Sequence, residues 1–542
     1  MRYGFIIDNR KCIGCHACTT ACKAEHAVPV GVNRTWVKQV EKGEFPHTRR
    51  LFSVMRCNHC TEAPCVEICP VEALFFRDDG IVDFDKNRCI GCKSCMQACP
   101  YDALYIDPEN HTAAKCNYCA HRIDIGLEPA CVNVCPEHAI ISGDMEDPTT
   151  EIFQLLGREQ VTVRKSAKGT VPNLFYINGD EASLNPVATE KQDAYFWSEQ
   201  SRGVGHYAKY TEKLAFSNGD ALQTLMQANG QSATAGEVAA KGTTKSIDIM
   251  LGKARRVYDS PDKGVLWGWE VSGYVLTKAI AAGAFLVPFL FSLLYATGVS
   301  AEVYWWALGG ALAFLGATGL LLVMDLDRPD RFLYVLLRPH WSSWLVRGGY
   351  IITVYGGLLT LTAVLRWFDL GGAALPFVYG LTAVFAVLAA VYTAFLFAQA
   401  KGRDFWQSPA LSLHMLVHSF MAGAAFFGII SLFTGEIAGW LPFLSSLLAI
   451  ALVVNLLTML VELTTTHPTE EAKMVVKMIL HGRYRTLFWA GGILLGNIVP
   501  LALLLFGGAS APVLALAGIT VLLGIYATEK IWVEAPQRIQ LV

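Results

Sequence analysis

The chain has 542 residues, 16 cysteines and a formal net charge of −2, length enough for about two or three domains. Its near-neutral charge averages two unlike halves, because all 16 cysteines lie between Cys12 and Cys135 while long runs of Leu, Ala, Val and Phe dominate from about residue 266. The charge therefore points to no particular partner, and no nucleic-acid partner is expected. A disulfide framework, which suits small secreted chains without membrane spans, is excluded by the apolar half.

The sequence opens MRYGFIIDNRKCIGC, which enters the first cysteine motif with no apolar leader segment, so no secretory signal is expected there. Arg49-Arg50 and Arg255-Arg256 are internal and do not stand where a twin-arginine signal is read.

Four cysteine motifs follow: Cys12-x2-Cys15-x2-Cys18-x3-Cys22, Cys57-x2-Cys60-x4-Cys65-x3-Cys69, Cys89-x2-Cys92-x2-Cys95-x3-Cys99 and Cys116-x2-Cys119-x11-Cys131-x3-Cys135. Pro70, Pro100 and Pro136 follow the last cysteine of three of them, and Lys23 follows the first motif. Structural zinc takes two separated knuckles per ion and is poorly served by three closely spaced thiolates plus a fourth. In an iron–sulfur loop the three close cysteines hold one cubane, and the fourth, before proline, ligates the neighbouring one. Sixteen ligands make four [4Fe–4S] clusters with none left over.

Cys57 to Cys99 reads as a complete two-cluster ferredoxin, its motifs separated by VEALFFRDDGIVDFDKNR, two short strands around an Asp78-Asp79-Gly80 turn. Exchange of fourth cysteines groups Cys57, Cys60, Cys65 with Cys99, and Cys89, Cys92, Cys95 with Cys69. The first and fourth motifs then pair around this insert, grouping Cys12, Cys15, Cys18 with Cys135, and Cys116, Cys119, Cys131 with Cys22. The nearby His16, His59, His121 and His138 are expected to be solvated or to stand behind the ligands, not to be ligands themselves.

On these motifs, the long gap in the fourth and the tail CPEHAIISGDMEDPTTEI, residues 1 to about 180 resemble the four-cluster electron-transfer subunit of the dimethyl-sulfoxide, polysulfide and tetrathionate reductase family. Some relatives replace one cysteine and carry a [3Fe–4S] cluster; all 16 are present here, so four cubanes are expected.

Residues 185–265 are polar and rich in Gly, Ala, Ser, Thr and Lys, and read as a tether with some short helix. Beyond them eight stretches meet the roughly 20 apolar residues that a span needs: about 271–297, 303–324, 344–366, 376–398, 410–434, 441–464, 486–508 and 511–530. Sixteen Lys and Arg flank one set of span ends, among them Arg328, Arg331, Arg403 and Lys473, and the opposite loops offer only Arg366. By the positive-inside rule both termini and the cysteine domain are expected in the cytoplasm.

Asp325-Leu326-Asp327-Arg328-Pro329-Asp330-Arg331 after the second span, and RPHWSSW before the third, resemble the NrfD-like, polysulfide-reductase-type membrane anchor. That resemblance implies a quinone site without haem. Relatives often keep the electron-transfer subunit as a separate chain facing the periplasm, so fusion and cytoplasmic placement are both departures.

Quinone chemistry moves two electrons and two protons and needs protonatable groups near the last cluster. Polar residues inside spans are functional candidates by default. On the cluster side these are Lys278, Asp325, Arg328, Tyr392, Gln399, His414, His418 and Glu462. The bland alternatives are snorkelling for Lys278, headgroup or domain anchoring for Arg328 and Arg338, an aromatic belt for Trp341 and Trp344, and packing for His414 and His418. Haem would need histidines on a second helix, and His340, His467 and His481 read as loop residues, so none is expected.

The expected architecture is an α+β ferredoxin-like iron–sulfur domain of two nested two-cluster modules (1–184), a polar linker (185–265) and an all-α eight-helix transmembrane bundle (266–542). The expected role is electron transfer and membrane anchoring in a respiratory complex of the inner membrane. Electrons would pass between menaquinone or ubiquinone and a separate large subunit, by resemblance a molybdenum or tungsten molybdopterin enzyme. No segment here resembles a molybdopterin domain. The alternatives are a proton-translocating module of a larger complex and a tether without a quinone site.

Overall fold

In a computed structural model the described residues are 1–43, 47–189, 254–260, 262–295, 299–370 and 372–542. The first strand, β1 (Tyr3–Asp8), shows how alternation builds the cysteine domain. Phe5 and Ile7 face Cys18 and Cys131, whereas Ile6 turns to Ile141 and Ile152 on the other side.

Other early strands are β2 (Thr35–Lys42) and β3 (Arg49–Arg56), then the short pairs β4 (Leu74–Phe76) with β5 (Val82–Phe84) and β6 (Leu104–Ile106) with β7 (Ala113–Lys115). β8 (Ile140–Asp144), β9 (Val161–Thr162) and β10 (Leu174–Ile177) complete the main sheet in the order β8-β1-β10-β9. β1 leads into Cys12 and β8 leads out of Cys135, and the two pair antiparallel with Ile7 opposite Ile140. That pairing brings the first motif beside the end of the fourth. The expected turn inside the insert is present as the β4–β5 hairpin, with Leu74 opposite Phe84 and Gly80 at φ +78°.

The reading of 185–265 as a tether is corrected at its end. Residues Ala254–Tyr258 form β11, which pairs antiparallel with β2, Arg255 opposite Glu41. The unpaired edge of β2 supplies the partner that the polar sequence does not advertise. Arg256 is buried there at 2.8 Å from Asp259, which also accepts from Trp36 Nε1 at 2.7 Å. The middle of the tether, 190–253, lies outside the described residues.

Among the described residues, eight helices are long and apolar enough to cross a membrane: Trp269–Tyr295, Ala301–Met324, Trp344–Trp367, Leu375–Gln399, Ala410–Ile430, Gly435–Thr464, Leu487–Gly507 and Ala511–Arg538. They match the eight expected stretches, except that 296–297 fall outside the described residues. The first and fifth helices cross closely at Gly283 and Gly423. A Cβ at Gly283 would stand 2.0 Å from the Ser419 carbonyl oxygen, so only glycine fits. The seventh begins as a π-helix over Leu487–Ile498, where Asn497 donates to the Gly492 carbonyl at 2.8 Å.

The cysteine domain sits on one end of this bundle. Asp327 N and Arg328 N donate to the carbonyls of Gly91 and Ile90, both at 3.3 Å. Gly91 has φ +70°, and a Cβ there would lie 2.7 Å from Asp327 Cβ, so glycine is required by both conformation and contact. Arg328, Arg331 and Arg403 reach cysteine-domain atoms, while Arg366 bonds Tyr379 within the bundle.

Candidate functional site

None of the 16 cysteines forms a disulfide. Cys12, Cys15, Cys18 and Cys135 line one small cavity, and Cys69, Cys89, Cys92 and Cys95 line another. Cys60 and Cys65 feel the charges of Cys57 and Cys99, and Cys22 and Cys119 those of Cys116 and Cys131. Neighbouring groups lie within electrostatic reach of one another: Cys95 senses Cys65, Cys57 senses Cys116, and Cys18 senses Cys131. Burial pushes the thiols of Cys18, Cys92 and Cys119 up to about 12, a cost that a bound metal removes.

Backbone amides point at sulfur as well. Ala73 N donates to Cys69 Sγ and Ala139 N to Cys135 Sγ, both at 3.2 Å, and Ala113 N donates to Cys89 Sγ at 3.4 Å. Compact sulfur-lined hollows with amide donors fit [4Fe–4S] ligation.

The histidines differ from one another. His121 and His138 are exposed against Glu25 and Glu151, and His16 meets Gln39 at 2.8 Å. His59 is fully buried beside Tyr118 and accepts from Val82 N at 3.2 Å, so it is not solvated. His26, which spacing did not single out, stands 3.1 Å from Cys119 Sγ.

Inside the bundle, five helices bring polar groups together in the half nearer the cysteine domain. His414 Nδ1 is 3.0 Å from Glu462 Oε2, and His418 Nδ1 is 2.7 Å from Glu529 Oε1. His414 Nε2 lies 3.8 Å from Glu529 Oε1, and the two imidazoles are 4.2 Å apart. Trp532 Nε1 also donates to Glu462 at 3.1 Å. Lys278 donates to Thr393 Oγ1 at 2.5 Å and lies 4.6 Å from the centre of the Tyr392 ring. Lys278, His414, His418, Glu462 and Glu529 are all at most 3% exposed.

A carboxylate only accepts, so each Nδ1 carries the hydrogen and Nε2 is left as the free position of each ring. Both Nε2 atoms are buried and without a hydrogen-bond partner among the described residues. A ring so oriented takes a proton at Nε2 when neutral and gives one when charged. Glu529, Trp532 and Thr393 were not legible in the sequence. Glu529 stands beside Lys530 at a span end, where a charged residue reads as interfacial, and only packing sets it opposite His418.

Three of the expected residues sit elsewhere, at the junction. Asp325 accepts from Lys93 Nζ through its backbone carbonyl at 3.0 Å. Arg328 pairs with Asp330 and reaches the Asn110 carbonyl at 3.3 Å. Gln399 bonds the Ser342 carbonyl at 2.9 Å and Glu67 at 3.3 Å. Each polar group serves domain docking because its partners lie on the cysteine domain or on the loop against it. His340 does likewise, 2.8 Å from the Cys69 carbonyl.

An aromatic column joins the two sites. Trp267 Nε1 donates to the Cys92 carbonyl at 3.1 Å, Trp267 stacks on Trp406 at 5.6 Å, and Trp406 Nε1 donates to the Trp532 carbonyl at 2.7 Å. Trp532 lies 5.2 Å from His414, ring centre to ring centre.

Residues 260–535 match the family described as "Polysulphide reductase, NrfD". The protein belongs to the NrfD family. Ahead of the NrfD region, residues 11–74 and 48–145 each match a 4Fe-4S dicluster domain. The cysteine domain is similar to a tetrathionate reductase subunit of Salmonella typhimurium, 44% identical over 202 residues that cover 36% of this chain and 80% of that one. A polysulfide reductase chain of Wolinella succinogenes is 41% identical over 181 residues, 32% of this chain and 94% of that one. The thiosulfate reductase electron transfer subunit PhsB of Salmonella typhi is 39% identical over 177 residues, 32% of this chain and 91% of that one. The protein is thus an iron–sulfur electron-transfer subunit fused to an NrfD-like multi-pass membrane anchor.

Proposed function

We propose that this chain carries electrons between a separate catalytic subunit and membrane quinone through four [4Fe–4S] clusters, held by the cysteine groups set out above. The observation that carries the reading is the aromatic column from Cys92 to His414, because it sets a proton-handling site beside the cysteine group nearest the membrane. Electrostatic neighbours order the four groups from the Cys69 group at the bundle, through those of Cys65 and Cys131, to that of Cys18, which includes the exposed Cys15. When bound, the clusters supply one-electron transfer between fixed points.

The rest falls to the chain's own side chains. His414 and His418 hold their Nε2 atoms toward the quinone oxygens, while Glu462 and Glu529 fix the rings by accepting from Nδ1. A charged imidazole gives its Nε2 proton to a quinone oxygen, and a neutral one takes a proton from a quinol hydroxyl. Lys278 offsets the charge of Glu529 in the low-dielectric interior. The buried tryptophans exclude water between the two sites.

The excess of basic residues around the junction supports a cytoplasmic cysteine domain. The relatives' names support a reductase-type catalytic partner, and the family resemblance supports a molybdopterin enzyme. Quinone extraction from the purified complex, with inhibition by a quinone analogue, tests the reading; absence of both would leave only a tether.

A further inference from the structure

Arg56 and Lys115 are fully buried cations placed among the cysteine groups. Arg56 donates from Nη1 to Cys131 Sγ at 3.2 Å and lies 4.4 Å from the centre of the Phe5 ring. Its Nε and Nη2 have no hydrogen-bond partner, and no carboxylate pairs with it among the described residues. Its charge acts on Cys22, Cys119 and Cys131, and on Cys18 of the outermost group. Lys115 donates to the carbonyls of Val82 and Cys116, the latter at 2.9 Å. Its charge acts on Cys57 and Cys65.

An isolated buried cation is costly unless an anion offsets it. Here the anions at hand are the cysteine thiolates and whatever they hold. The group nearest the membrane (Cys69, Cys89, Cys92, Cys95) carries Lys93 in its loop, but that ammonium is paired with the carboxylates of Asp325 and Asp327; Arg331, which acts on Cys89, belongs to the membrane-domain loop.

We propose that Arg56 and Lys115 set the redox order of the wire by raising the reduction potentials of its two inner clusters, Arg56 chiefly at Cys22/Cys116/Cys119/Cys131 and Lys115 at Cys57/Cys60/Cys65/Cys99. The proposal rests on the four-cluster reading and its ligand groups. Each reduction adds one electron, delivered from the neighbouring cluster, and a fixed positive charge favours the more negative reduced form. Neither residue gains or loses a proton. At a few ångströms and an effective dielectric of about 20, a unit charge changes such an equilibrium tenfold or more. The residues are positioning groups for potential, not ligands.

The test is a redox titration of the purified full-length complex followed by electron paramagnetic resonance, with iron and sulfide counted per chain. Couples are assigned from C131S and C65S. R56Q is expected to lower the Cys131-group couple so that its oxidised-to-reduced ratio at fixed potential rises at least about tenfold, about 59 mV for one electron. K115Q is expected to do the same to the Cys65-group couple. R56K and K115R are expected to stay near wild type, and the Cys69-group couple to stay put in all four. The proposal fails if the neutral variants, with full iron, leave every potential in place, or if R56K shifts as far as R56Q. Loss of iron in both neutral variants also overturns it, since a charge that sets only potential is dispensable for assembly. A wild-type complex without four couples would instead sink the four-cluster reading.

Discussion

Lys93, between Cys92 and Cys95, reaches across the domain junction to Asp325, donating to its carbonyl at 3.0 Å with the carboxylate 3.9 Å away. Asp327 is 3.3 Å from the same ammonium. One lysine inside a cysteine loop thus ties the cluster domain to the end of the second membrane helix.

K93M leaves two partly buried carboxylates without their cation, at a cost of about 3–5 kcal/mol. Thermal unfolding in detergent should show a destabilised complex with faster proteolysis between the domains. The double variant K93M/D325N should recover part of the loss, because the two residues share one interaction.

Glu462→Gln and Glu529→Gln remove the negative charge that orients His414 and His418 and stabilises their protonated form, and turn one acceptor oxygen into a donor. Quinone turnover should fall by about 10²–10⁴, with iron content unchanged. Gln399→Ala, at the junction, should change turnover far less than either. Steady-state assays with a soluble quinone separate the two classes.

Ligand grouping is tested by pairs of substitutions. Cys99→Ser and Cys65→Ser should disturb the same spectroscopic couple, and Cys69→Ser and Cys89→Ser a different one. Cys135→Ser should disturb the couple touched by Cys12→Ser. Titration of each variant reads this directly, and a Cys99→Ser effect on the Cys89 couple would break the assignment.

The cysteine domain should be accessible from the cytoplasm. A tag at Met1 should resist protease in intact cells stripped of their outer membrane and be cleaved in inverted vesicles.

The cysteine motifs and the spans were legible because each is a local pattern: spacing decides the first and length of apolar run the second. His414 and His418, four residues apart on one helix, were legible as a pair for the same reason. Their carboxylates were harder. Glu462 stood out as a polar residue within a span, but Glu529, 111 residues from His418, depended on helix packing. Asp325, Arg328 and Gln399 read as membrane polar groups, and their partners on the cysteine domain and the loop against it are set by docking, which no periodicity encodes. β11 was hidden for the same reason, since its pairing with β2 spans 214 residues at Arg255 and Glu41.

On the proposed function, electrons cross from the cluster domain to quinone at the histidine–glutamate site. Rapid mixing of the dithionite-reduced complex with a soluble menaquinone analogue, followed by cluster absorbance, measures that step. Reoxidation should be fast in the wild type and slowed at least about 10²-fold in H414A/H418A with full iron content. Equal rates in the two proteins would mean that quinone is not reduced at His414 and His418.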